Sequence, residues 1–124
     1  MCRSVPRNHF SMRLPDARHA IIDESKVRDY LLAPHHPNGA AKARFFLRLG
    51  FTADTADILR RSLAHHARHG AAEPTDFSPY GITFEVRGIL HGTRGQLGAI
   101  ISVWMYRRDE YVPRFVTAYP RGRR

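Results

Sequence analysis

Apolar side chains recur at two periods along this chain, three to four residues apart in its first half and every second residue in its last third. The first period predicts helices and the second predicts strands. Val27, Tyr30 and Leu31 share one face of a helix expected over 24–32, capped by Asp23 and ended by Pro34. A second helix is expected from Gly39 to Leu49, with Asn38 as its cap and Gly50 as a left-handed stop. A third starts at Thr52 or Asp54 and runs to His69, with Ala56, Leu59, Leu63 and Ala67 as its apolar stripe and Gly70 beyond it.

Residues 71–80 contain Pro74, Asp76, Ser78 and Pro79 and read as a loop. Past them Ile82, Phe84 and Val86 alternate with Thr83, Glu85 and Arg87, a strand with one dry face and one wet face. A turn over Gly92 to Gly95 leads into Leu97 to Tyr106, apolar on both faces as a central strand is. The last strand, Arg114 to Tyr119, has Phe115, Thr117 and Tyr119 on one face and Val116 and Ala118 on the other. Residues 17–22 read as an extended segment and a candidate fourth strand. The expected fold is α+β, with N-terminal helices packed on a three- to four-stranded antiparallel sheet. Residues 1–11 lack either period and read as a disordered leader, with Met12 a second candidate start; 12–120 form a single domain and 121–124 a basic tail.

A chain of 124 residues supports one core, so composition serves mainly to exclude classes. The single cysteine, Cys2, removes a disulfide framework and a cysteine-cluster zinc site. The longest apolar run, Leu97 to Tyr106, is far short of the ~20 residues that cross a bilayer. No hydrophobic run follows Arg3 and Arg7, so no membrane association is expected and the cytoplasm is the expected location. The net charge of +9 favours a polyanion such as RNA, or an acidic partner protein. Yet all but Lys26 and Lys42 of the basic residues are arginine, a pattern that codon bias also produces, and several lie at the two ends.

Chemistry concentrates at His35-His36-Pro37-Asn38-Gly39-Ala40-Ala41-Lys42. Gly39, Ala40 and Ala41 leave the first N–H groups of a helix open to an anion, and Lys42 adds a charge in the same turn on the side of Phe45, Phe46 and Leu49. The bland reading of Lys42 is a stem lying on apolar surface with its ammonium in water. His36, just ahead of that helix end, is held neutral by the dipole and suits a general base; alternatively it is an ordinary loop residue. Thr117 and Tyr119, with Arg114 at the strand start, are expected to face the helices alongside Phe115, near Lys42; the plain alternative is an edge strand filled by residues that suit one. Trp104 and Tyr106 read as core residues before base-stacking ones. His65 and His69 lie one helical turn apart, but no carboxylate sits between them, so they read as surface residues and no metal or cofactor is expected.

The segments Lys26-Val27-Arg28-Asp29-Tyr30-Leu31-Leu32, His36-Pro37-x-Gly39-x-x-Lys42-Ala43-Arg44-x-Phe46, Leu49-Gly50-Phe51 and Pro113 to Pro120 resemble a family of small bacterial domains of unknown function. Such domains occur alone or in toxin-like and phage-capsid-associated chains. Their helices-then-sheet order is similar to the barnase, EndoU, colicin and RelE group of metal-independent ribonucleases, an architectural analogy. The resemblance implies His36, Lys42, Thr117 and Tyr119 as catalytic residues; Gly39, Ala40 and Ala41 at the open helix end and Arg114 at the strand start are the residues expected to hold substrate. The expected function is RNA cleavage without metal, with a neutralising protein as a candidate partner. The competing expectation is a non-catalytic, immunity-type module gripping a polyanion or acidic partner.

Overall fold

Helix α2 (Ala40–Arg48) ends as its sequence predicts. Gly50 takes φ +91°, Phe51 N–H returns to the Phe46 carbonyl at 3.0 Å, and the Gly50 N–H bonds Leu47 at 2.8 Å. A Cβ at Gly50 would collide with the Thr93 side chain, so glycine is required twice over at this position. A computed structural model describes residues 12–28 and 40–121, for 40–42 the backbone alone. Ahead of α2, Asp23 accepts a hydrogen bond from Ser25 N–H and caps a short α1 (Glu24–Lys26), after which Val27 is fully buried. The rest of the helix expected over 24–32 lies outside the described residues, as do the leader 1–11 and residues 122–124.

Helix α3 (Ala56–His69) is entered through a 3-10 turn at Ala53–Thr55, where Thr52 N–H donates to Thr55 Oγ1 at 2.8 Å. Its stripe of Ala56, Leu59, Leu63 and Ala67 is buried as expected. His66 is buried with it, only 1% exposed, because it stands three residues after Leu63 on the same face.

The four strands β1 (Ala71–Ser78), β2 (Gly81–His91), β3 (Leu97–Arg107) and β4 (Arg114–Pro120) form one antiparallel sheet in the order β1-β2-β3-β4. The fold is therefore α+β, with helices on one face of a four-stranded sheet. Two assignments change. Residues 71–80 are not a loop: they supply the fourth strand, β1, whose only buried side chain is Ala72 and whose register shifts between Pro74 and Asp76. An outer strand with both faces wet has no alternating pattern to read, and an edge tolerates the proline that a central strand excludes. Residues 17–22 are not that strand; Ala17–His19 form a 3-10 turn, and Ile21 makes one parallel bridge to Arg114.

The core lies between helices and sheet, filled by Phe46, Leu59, Leu63, Val86, Leu90, Ile100 and Trp104. Trp104 packs edge-on against Phe115 with ring centroids 5.3 Å apart. Here Trp104 Nε1 donates to Ser102 Oγ at 2.7 Å, and the same oxygen lies 2.9 Å from His66 Nε2. With the indole proton already on Ser102 Oγ, the hydroxyl proton is free to go to Nε2, which places the ring proton on Nδ1. That nitrogen makes no hydrogen bond of good geometry, although the Val86 and Ile89 backbone runs alongside and favours a proton on the ring. No helix among the described residues is long and apolar enough to cross a membrane.

Candidate functional site on the open face of the sheet

The face of the sheet turned away from the helices carries the chemistry. On β3 the residues Ile100, Ser102 and Trp104 are buried beneath the helices, while Ile101, Val103 and Met105 on the other side are only half-buried. The expectation of two dry faces on this strand is thus corrected: one face is dry, and the apolar residues of the other form the floor of an uncovered surface.

A single extra residue in β4 decides what stands on that floor. Trp104 pairs with Phe115 but the next residue back, Val103, pairs with Thr117, so Val116 is bulged out. Phe115 consequently faces the helices, whereas Thr117 and Tyr119 face the opposite way, across from Val103 and Ile101. The expected sharing of one face by Phe115, Thr117 and Tyr119, and with it their orientation toward the helices, is overturned by this bulge. Arg114, paired with Met105 ahead of the bulge, comes to the open face as well. Period 2 alone would have put Arg114 and Thr117 on opposite sides.

Helix α2 packs on the other side, where a Cβ on Gly98 would meet Leu49 and Phe45 at 2.9 Å. The start of α2 and the two hydroxyls therefore lie on either side of a sheet whose outer strand is β4. Ala40 and Ala41 form the first turn of that helix. His36, Gly39 and the Lys42 side chain lie outside the described residues.

Opposite β4 on the same open face stand Thr83, Glu85 and Arg87 of β2, the wet side of its alternation. Burial raises the Tyr119 phenol above its ordinary pKa, and the charge of Glu85 and a hydrogen bond to that carboxylate raise it further. Tyr119 therefore keeps its proton at neutral pH and acts as a donor. Arg87 reaches Glu73 of β1 at 3.2 Å. Arg114 is held by Glu110 through two bonds, Nε to Oε1 at 2.8 Å and Nη2 to Oε2 at 3.0 Å. The bond from Arg114 holds the Glu110 carboxyl below the usual range. Neither arginine is an unpaired cation, so each binds an anion only by sharing or exchanging its carboxylate. Glu85 and Arg87 were not among the residues expected from sequence to act; the polar half of the β2 alternation is the signal that points to them.

Trp104 is fully buried, and Tyr106 donates to the Pro15 carbonyl at 2.6 Å, so both serve the core. Among the described residues no group of three or more His, Cys, Asp or Glu side chains is placed to hold one metal ion.

A family described as "Domain of unknown function (DUF6883)" matches residues 13–122. The fold is similar to that of a chain in a contact-dependent growth inhibition toxin–immunity protein complex from Klebsiella pneumoniae 342. The TM-score is 0.67 at 18% identity, over 87% of this chain and 98% of that one. The comparison with curated proteins gives no match.

Proposed function

The chain belongs to the DUF6883 family, whose function is unknown, and on that premise we propose that it is a toxin-type RNA-cleaving domain that works on the open face of its sheet. The observation that carries the reading is the Tyr119–Glu85 pair beside Thr117 on a half-apolar floor, a protonated donor held in place by a carboxylate. The net charge of +9 suits a polyanionic substrate, and the fold shared with a chain of a toxin–immunity complex suits the toxin setting.

In this reading His36 removes the 2′-hydroxyl proton, O2′ attacks phosphorus, and the P–O5′ bond breaks. The products are a 2′,3′-cyclic phosphate and a 5′-hydroxyl, the latter formed as the departing O5′ takes up a proton from water. Tyr119 donates to a non-bridging oxygen as charge builds there, and Thr117 orients the phosphate. This route requires no metal, so cleavage persists in EDTA. Incubating the protein with tRNA and EDTA is expected to give discrete fragments, and His36→Ala or Thr117→Val to slow their formation by about 10²-fold or more. Intact tRNA, or equal rates in wild type and both variants, rules the reading out.

The engagement of Arg87 and Arg114 by Glu73 and Glu110 favours one other reading, a non-catalytic module that exchanges these carboxylates for those of an acidic partner. RNA binding that falls steeply with salt and never leads to turnover, together with harmless expression in growing cells, selects it.

A further inference from the structure

A second basic feature lies at the free edge of the sheet, where β2 outruns its neighbour. Pairing between β1 and β2 stops at Ala71 and Arg87, so among the described residues the last turns of β2 have only β3 beside them. The last turn of α3 and this free strand end enclose a cleft of about 460 Å³. Its walls hold Arg13, His65, His69, Arg87 and His91, and no carboxylate lines it. Its floor is closed by Gly88, whose missing Cβ would sit 3.2 Å from His66 Nδ1. That buried nitrogen lacks a hydrogen-bond partner.

Three histidine rings crowd together at the mouth, His65 with His69 at 4.2 Å between centroids and His65 with His91 at 5.5 Å. Burial, His69, His91 and Arg68 all oppose a charge on His65. Such a group of bases gains protons when an anion enters and offsets their mutual repulsion. His69 Nδ1 is engaged by the His65 carbonyl at 2.9 Å, which leaves Nε2 to face a ligand. Arg13 spends one nitrogen on the Gly70 carbonyl at 3.3 Å and keeps its other donors. Two charged pairs border the group: Arg61, which lines the adjoining hollow with His65 and His91, lies 3.8 Å from Asp57, and Arg87 pairs with Glu73.

We infer that this cleft binds a phosphate of a nucleic-acid backbone through Arg13, His65, His69 and His91, as a second subsite at the edge of the sheet. The inference takes the identity of the polyanion from the RNA reading, but its test does not depend on cleavage. Binding is coupled to proton uptake, so affinity rises as the pH falls.

The probe is a 2′-O-methyl RNA oligonucleotide, which lacks the attacking hydroxyl, followed by fluorescence anisotropy at about pH 6 and about pH 8. Wild type is expected to bind about tenfold tighter at the lower pH, the effect of roughly one added charge-assisted hydrogen bond. The triple variant His65→Gln/His69→Gln/His91→Gln, all exposed positions, is expected to lose that difference, and Arg13→Gln to weaken binding at both pH values. In wild type the His65 ring signal is expected to titrate at higher pH once the oligonucleotide is bound. Equal affinity and equal pH dependence in wild type and triple variant overturn the inference. Unchanged RNA affinity with weakened binding of poly-glutamate overturns it in favour of an acidic protein ligand. A protein that binds the probe in this way but leaves tRNA intact contradicts the cleavage reading alone.

Discussion

Tyr119→Phe is expected to slow tRNA cleavage by about 10²-fold, the usual loss for one donor aimed at a developing oxyanion. Its stability is expected to change by no more than about 1 kcal/mol, because one partly exposed hydroxyl and its hydrogen bond are removed while the ring stays in place. Glu85→Gln is a positioning change with a different signature. The amide still accepts a hydrogen bond, so the rate at neutral pH falls less, by about tenfold. Loss of the carboxylate charge removes one of the causes that raise the phenol pKa, and Tyr119 then loses its proton at lower pH. The alkaline limb of the pH–rate profile is therefore expected to move down in Glu85→Gln. If Tyr119 only filled an edge strand, Tyr119→Phe would leave the rate intact and Glu85→Gln would leave the limb unmoved.

The second large effect concerns stability and acid. Burial lowers the His66 pKa from 6.5 to about 4, so the ring is neutral in the folded protein. In the unfolded chain it takes up a proton as the pH falls below 6.5, and the folded state does not follow until about 4. The unfolded state binds more protons throughout that window, so stability falls as the pH falls through it and levels off below. Each unit of displacement is worth about 1.4 kcal/mol, which makes the loss of order 3 kcal/mol. Urea unfolding between pH 7 and about pH 4 is expected to show this loss in wild type and not in His66→Gln, which has no ring to titrate. Equal pH dependence in the two proteins would show that the ring is already charged in the fold.

Much of this architecture is readable from residue spacing. The stripe Ala56, Leu59, Leu63 and Ala67 was legible because one face of α3 meets the core, and Gly50 because a left-handed stop has few alternatives. Strand β1 was hidden because both its faces are wet and Pro74 imitates a loop. His66 was missed for another reason: a histidine beside two exposed histidines reads as surface, although its spacing from Leu63 places it on the stripe. The bulge at Val116 had no local mark at all, since a bulge is a property of pairing with β3 and not of β4 alone. It is also the feature that decides the site, because it turns Thr117 and Tyr119 to the open face that Arg114 already occupies and gives them Glu85 and Arg87 as neighbours across β3. Those two were visible only as the polar half of an alternation, whose use depends on which side of the sheet is left uncovered.

The claim that RNA lies against the uncovered side of the sheet is tested most directly by following isotope-labelled protein as a 2′-O-methyl RNA oligonucleotide is added. The predicted result is that amide signals of Ile101, Val103, Thr117 and Tyr119 shift together and saturate, while the buried Trp104 indole signal on the opposite side of β3 stays in place. Binding that leaves those four residues unmoved would contradict the account.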